Sequence, residues 1–231
     1  MKLSNEIKAR LRTPVLAARR VRRERVKLVE LAYAQPRSFS QFGEDRWLAR
    51  YFQDQPVGFY VDVGAFHPFL ASNTYALYRR GWRGINLEPA PDGLAMLRKH
   101  RPRDLNLPFA VSQEGGEVQF TLTGSFAGID DEQHLWQGMP GPRITVRAQP
   151  LTDILDEYLP VGTGIDLLDV DCEGHDVDVL RSNDWERYRP RIVLCEHHAG
   201  DEKSPDPGPF LEEKGYVLHT RLDLTCVYVR S

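Results

Sequence analysis

A strand, a glycine turn, a helix and a second strand ending in an acid follow one another between Gly58 and Pro89, GFYVDVGAFHPFLASNTYALYRRGWRGINLEP. Phe59, Tyr60, Val61 and Val63 make the short apolar run of a parallel strand buried on both faces. Gly64 ends it, where the lack of a Cβ lets the backbone turn sharply and a ligand come close. Ser72 or Asn73 is placed to cap a helix whose apolar Tyr75, Leu77 and Tyr78 run to Gly81, a helix stop. Ile85 and Leu87 form the next strand, with Glu88 at its carboxyl end. Such a unit commits the chain to an open α/β sheet, in which ligands bind outside the carboxyl ends of the strands.

Glu88 lies 24 residues after Gly64, about where an acid grips ribose hydroxyls in nucleotide-binding units. The dinucleotide fingerprint is missing. The turn Gly64-Ala65-Phe66-His67-Pro68 has a single glycine and a proline without an N–H, a poor cradle for a pyrophosphate. A nucleoside lacking a pyrophosphate is the better ligand. S-adenosylmethionine meets that description, with Asp62 placed for its ammonium group and Glu88 for its ribose. The bland alternative is a plain α/β turn followed by an incidental acid.

Five stretches in order, Ser40-Gln41-Phe42-Gly43-Glu44-Asp45, VDVGAFHP, SNT, GWRGINLEP and Asp171-Cys172-Glu173-Gly174-His175, resemble the FkbM family of S-adenosylmethionine-dependent methyltransferases. The resemblance covers roughly residues 38 to 229. It implies a class I methyltransferase (Rossmann-like) fold and transfer of a methyl group to a hydroxyl oxygen of a sugar or polyketide. It also implies that Gln41 and Glu44 face the cofactor; a helix-capping cluster is the rival reading of that motif. Many members carry Asn and a second glycine after the Gly-Ala pair, where this chain has Phe66, His67 and Pro68.

The 231 residues suffice for one α/β core. With 41% hydrophobic and 27% charged residues, the chain reads as a soluble globular protein. Cys172, Cys195 and Cys226 are odd in number and sit in apolar, strand-like segments, so they read as reduced core thiols of a cytosolic protein. Residues 1–35 hold ten Lys or Arg against three Glu, a surplus of +7 that leaves about −10 for the rest of a chain whose net charge is −3. Domain organisation follows: a basic helical arm at 1–35, kinked by Pro14, and the cofactor-binding domain at 36–231. The arm lacks the apolar run of a signal peptide, so no export is expected. Packing on the domain or on a partner subunit, as in an oligomer, is one role for the arm; contact with an anionic inner membrane face is another. Nucleic acid is not expected, because the body is acidic.

Further along, Ser40 caps a helix through Trp47, Leu48 and Phe52, and Ala90 to His100 is a crossover helix. Residues 107–111 read as one strand, with Ser112 at its end where the adenine edge would lie. Residues 117–122 alternate as a half-exposed strand. Thr123 to Pro142, with Phe126, His134, Trp136 and Met139, reads as a substrate lid whose aromatic rings suit sugar faces. Strands at 143–146, 165–170 and 192–195, helices at 151–159, after Gly174 and at 210–214, and a final pair of strands turning near Asp223 complete the alternation. It predicts a doubly wound, mostly parallel sheet with a C-terminal antiparallel strand.

Methyl transfer to a neutral hydroxyl needs a base beside the methyl group. His175 and His197 are the candidates, since imidazole is the side chain whose unperturbed pKa lies nearest neutrality, and Asp171, crowded by Glu173 and Glu196, is a third through a raised pKa. Cofactor contacts fall to Gln41, Asp62, Gly64, Ala65, Ser72, Asn73, Glu88, Ser112 and Asp171. A Mg²⁺ or Mn²⁺ site from Asp171, Glu173, Glu196 and His197 is the less favoured alternative, since their spacing matches no dedicated motif. His67 and His198 read as structural. The expected activity is O-methylation of a sugar, glycan or glycosylated metabolite. An NAD-dependent oxidoreductase and a non-catalytic binding module are the rivals.

Overall fold

Short apolar strands alternating with helices resolve into a seven-stranded sheet and a smaller four-stranded one. The computed structural model describes residues 38–231 apart from 133, 135, 136 and 139, so the expected basic arm, Trp136 and Met139 lie outside the described residues. In chain order the elements are α1 (Glu44–Tyr51), β1 (Phe59–Val63), α2 (Tyr75–Arg79), β2 (Arg83–Leu87), α3 (Pro91–His100), β3 (Leu105–Leu107), β4 (Phe109–Val111), β5 (Gly116–Thr121), β6 (Gly128–Ile129) and β7 (Arg143–Gln149). They continue with α4 (Leu151–Tyr158), β8 (Leu167–Val170), α5 (Asp176–Arg181), β9 (Ile192–Glu196), α6 (Gly208–Glu213), β10 (Tyr216–Leu222) and β11 (Thr225–Arg230). Among the described residues no helix is long and apolar enough to cross a membrane.

The large sheet runs β3-β2-β1-β8-β9-β11-β10. It is parallel from β3 to β9; β11 is antiparallel to β9, and β10 to β11. This is the doubly wound, Rossmann-like class I arrangement, closed by an antiparallel hairpin whose turn carries Asp223 at φ +55°. On one face α1 with the Phe52 that follows it, and α2, bring Leu48, Phe52 and Leu77 onto Tyr60, Leu167 and Ile192. On the other, α4, α5 and α6 bring Ile154, Val179 and Leu211 onto Val61, Leu168 and Val193. Side chains alternate along a strand, so adjacent Tyr60 and Val61 serve opposite cores. Each aliphatic side chain fully removed from water contributes roughly 1.5–3 kcal/mol. That packing holds a helix as short as the 5-residue α2, which has almost no stability alone.

The residues at the N-caps of α1 and α2 are Gly43 and Thr74, not the expected Ser40 and Ser72, which stand just before them and still accept backbone N–H groups of the first turns. Ser72 Oγ accepts the Tyr75 N–H at 3.2 Å, and Ser40 Oγ accepts the Asp45 N–H at 3.2 Å. Gly43 sits just outside α1 at φ +90°, a left-handed step natural to glycine. Glu44 is buried, taking the Phe42 N–H and the Thr225 hydroxyl, each at 2.8 Å. It ties α1 to β11.

One departure is large. Residues 107–111 are not one strand: β3 ends at Leu107 in the large sheet, and β4 begins at Phe109 in the small one, whose order is β4-β7-β5-β6. Pro108 stands between them with no N–H to continue the ladder. The small sheet has its own core of Ala110, Phe120, Val146 and Ala148. The first part of the expected lid is correspondingly regular, with a 3-10 turn at Gly124–Phe126 and β6 paired to β5.

The connections leave β1 and β8 in opposite directions along the sheet, which makes the gap beyond their carboxyl ends the place where a ligand fits.

Candidate functional site

Backbone geometry builds that gap first. The Gly64 and Ala65 N–H groups both donate to the Leu87 carbonyl, at 3.0 and 3.1 Å, and the Asp171 N–H donates to the Val63 carbonyl at 3.0 Å. Gly64 has φ +83°, and a Cβ there would lie 2.0 Å from the Asp171 carbonyl oxygen. Only glycine lets β1 and β8 end this close together. A cavity of about 480 Å³ opens over these ends.

Glu88 reaches the cavity from the end of β2. It is 5% exposed, and its Oε1 accepts the Ala90 N–H at 2.7 Å. Burial pushes its carboxyl up to about 7, against the pull of the Ala90 and Phe66 N–H groups. From β8 come Asp171, Glu173 and His175. Asp171 Oδ1 is enclosed without a hydrogen-bond partner among the described residues, and burial, then Glu196, Glu173 and Asp176, hold its carboxyl well above the usual range. Glu173 stands at φ +53°, a left-handed conformation unusual for a residue with a side chain. Asp176 ties this turn to β9 by accepting the Cys172 and Glu196 N–H groups at 3.3 and 2.9 Å, and burial pushes it up to about 7.

His175 caps α5 and is 4% exposed. Its Nε2 lies 3.0 Å from each carboxylate oxygen of Asp131, and its Nδ1 is enclosed with no partner among the described residues. His198 also lines the cavity, with Nε2 3.3 Å from Glu196 Oε2. That contact, against burial, raises the His198 pKa. An apolar part of the lining comes from Phe109, Phe120, Leu122, Phe126 and Ile129.

Of the residues singled out from sequence, Gln41, Gly64, Glu88, Asp171, Glu173, His175 and Glu196 line the cavity. The others do not. His197 is turned away: its Nδ1 accepts from Arg221 Nη2 at 2.9 Å and lies 3.7 Å from Asp206. Asp62 points to the α2 side, bonded to the Thr74 hydroxyl and 3.8 Å from Arg101 Nη1. Strand alternation aims it there, onto the Tyr60 face. Ser72 accepts the Tyr75 N–H at the start of α2, Asn73 donates to Asp169 Oδ1 at 3.1 Å, and Ala65 serves the turn through its N–H. Ser112 donates to the Glu114 carbonyl. With His197 elsewhere, the four residues of the less favoured metal site do not meet. Among the described residues no three His, Cys, Asp or Glu side chains form a group that would hold a metal ion.

Sequence reasoning missed Asp131 and set His198 aside. Asp131 stands 44 positions from His175, and no local pattern links them; His198 differs from His197 only in which way β9 ends.

The cavity's charged side chains are carboxylates, with no Lys or Arg among the described residues that line it. Acceptors with unmade hydrogen bonds suit a ligand carrying cations and hydroxyls, and repel a pyrophosphate. A family model described as a methyltransferase FkbM domain matches residues 62–218. No curated protein matches. Among solved structures, a TehB-like SAM-dependent methyltransferase from Corynebacterium glutamicum aligns with a TM-score of 0.44 and 14% identity over 94% of this chain and 100% of that one. The family match takes in more than half of the chain and every strand end that borders the cavity from β1 to β9, and on that ground the chain belongs to the FkbM family of S-adenosylmethionine-dependent methyltransferases.

Proposed function

We propose that the protein methylates a hydroxyl oxygen of a sugar, glycan or glycosylated metabolite. The observation that carries the reading is His175, a cavity-lining imidazole with one nitrogen engaged and the other unpartnered. An oxygen acceptor must lose its proton as it attacks, and an imidazole is the side chain suited to take it near neutral pH.

When bound, S-adenosylmethionine supplies a methyl group on a positively charged sulfur. Glu88 would accept hydrogen bonds from the ribose hydroxyls, and Asp171, with Gly64 and Gln41 beside it, would face the methionine half. The Asp62 role in holding the ammonium passes to Asp171, since Asp62 already serves Arg101 and Thr74. The apolar wall excludes water and offers Phe126 to an acceptor's CH face. His175 holds the acceptor hydroxyl and takes its proton, and Glu196 with His198 borders the same space. The family assignment displaces the dinucleotide oxidoreductase.

Incubation with methyl-labelled S-adenosylmethionine and a panel of glycans and glycosides tests this, with products analysed by mass spectrometry and alkaline hydrolysis. Base-stable ether-linked label on oxygen is expected. Label found on nitrogen, or as a base-labile ester, would overturn the oxygen assignment.

A further inference from the structure

We infer that Asp131 is a positioning residue, carried into the site by the segment between β6 and β7, and that it fixes His175 in the tautomer whose Nδ1 accepts the acceptor's proton. The inference rests on the reading of His175 as the base.

An ionised carboxylate has no proton to give, so the 3.0 Å contacts from His175 Nε2 to both Asp131 oxygens require the proton on Nε2. In a neutral imidazole the lone pair then sits on Nδ1. That atom is enclosed and lacks a partner among the described residues, in a side chain 6% exposed that lines the cavity. A buried acceptor left unmet costs free energy, which a hydroxyl donor would return once the side chains enclosing Nδ1 give way to it.

Asp131 is held by its own loop. Its N–H donates to the Ile129 carbonyl at 3.1 Å, and Oδ1 accepts the His134 N–H at 3.2 Å. Lys203 Nζ in turn grips the His134 carbonyl at 3.1 Å. Phe126 and Ile129, on the same stretch, line the cavity. The stretch that walls the acceptor space therefore also sets the tautomer of the base. As the oxygen–methyl bond forms and the sulfur–methyl bond breaks with sulfur keeping its electron pair, the hydroxyl proton passes to Nδ1. The imidazolium is then stabilised by the Asp131 carboxylate and releases the proton to solvent.

The test is a long-range proton–nitrogen correlation spectrum of the full chain labelled at histidine nitrogen, at about pH 8, above the ordinary histidine range. The pattern lost in His175→Gln is expected to show Nε2 protonated and Nδ1 bare. In Asp131→Asn, whose amide can donate, the pattern should shift toward the Nδ1-protonated form, and Asp131→Glu should restore the original. In parallel, kcat for methyl transfer should fall on the order of a hundredfold or more in Asp131→Asn with KM nearly unchanged, and recover in Asp131→Glu. An averaged or Nδ1-protonated His175 in the native protein, or a pattern indifferent to Asp131→Asn, overturns the inference. Failure of the methyltransferase reading would show separately, as calorimetry in which S-adenosylhomocysteine does not bind.

Discussion

Asp62 and Asp169 stand opposite each other in register on β1 and β8, both enclosed. Arg101 Nη1 lies 3.8 Å from Asp62, while Asp169 takes the Asn73 side-chain amide. Burial raises the Asp62 pKa against the pull of Arg101, and burial together with Asp62 pushes Asp169 well above the usual range. Arg101, 0% exposed, also donates to Asp104 at 2.9 Å, to the Tyr60 hydroxyl at 2.6 Å and to Thr74 at 2.9 Å. One cation holds a polar seam beneath the apolar sheet.

Removing that cation leaves carboxylates buried and unpaired. Arg101→Met should cost about 3–5 kcal/mol, lowering Tm by about 6–20 °C for a domain of this size. Urea and thermal unfolding measure it. A loss under about 1 kcal/mol would mean that the seam reorganises freely.

Glu88 links stability to pH. Its carboxyl sits at about 7 in the fold against an ordinary 4.5, so between these values the folded chain keeps a proton that the unfolded chain has released. The Glu88 contribution to stability therefore falls as pH rises through that window, by about 3 kcal/mol in all. Glu88→Gln removes its share of the slope, while Asp176, also pushed up to about 7, and the raised Asp62, Asp169 and Asp171 keep theirs. Denaturation at about pH 4 and about pH 8 should show the variant gaining on the native protein by that amount at the higher pH; a gap independent of pH would place the Glu88 carboxyl in water.

The same residue should make cofactor affinity depend on pH in the opposite sense. The ionised carboxylate accepts from ribose hydroxyls, so S-adenosylhomocysteine should bind more tightly as pH rises through about 7. In Glu88→Gln the profile should flatten and Kd weaken about 10–100-fold at the high end. Calorimetric titration across the range decides, and an unchanged Kd would remove Glu88 from the cofactor site.

Two glycines separate backbone conformation from close approach. Gly81 has φ +104° and open space around it, whereas at Gly64, with φ +83°, an added Cβ would meet the Asp171 carbonyl oxygen at 2.0 Å. Gly81→Ala should cost about 1–2 kcal/mol, the left-handed penalty alone. Gly64→Ala should cost at least about 3 kcal/mol or abolish folding, because two strand ends must part. Equal losses would show that β1 and β8 have room between them.

The two histidines weighed equally from sequence should now part company. His175→Ala should slow methyl transfer by about 10²–10⁴-fold with S-adenosylhomocysteine binding retained. His197→Ala, bonded to Arg221 outside the cavity, should leave the rate within about twofold. Single-turnover rates decide, and the reverse pattern would move the base to the end of β9.

Local order in the chain was enough for the strand, turn and helix of 58–89, for Ser40 and Ser72 as hydroxyls serving the helix starts, and for Glu88 at a rim where ligands sit. Period-two and helical spacing, glycine stops and short-range hydroxyl caps act within a few residues, and each leaves a mark in the sequence. Which way a polar side chain points at a strand end is another matter. Asp62 turned to Arg101 and His197 to Arg221, because those partners come from the residue after α3 and from β10 and meet them only after the sheet is assembled. The split at Pro108 was visible as a residue but not as a change of sheet, since the strand that receives Phe109 lies on β7. The pairing of Asp131 with His175 belongs wholly to tertiary structure. Two distant segments acquire a shared chemistry there only by being packed across one cavity.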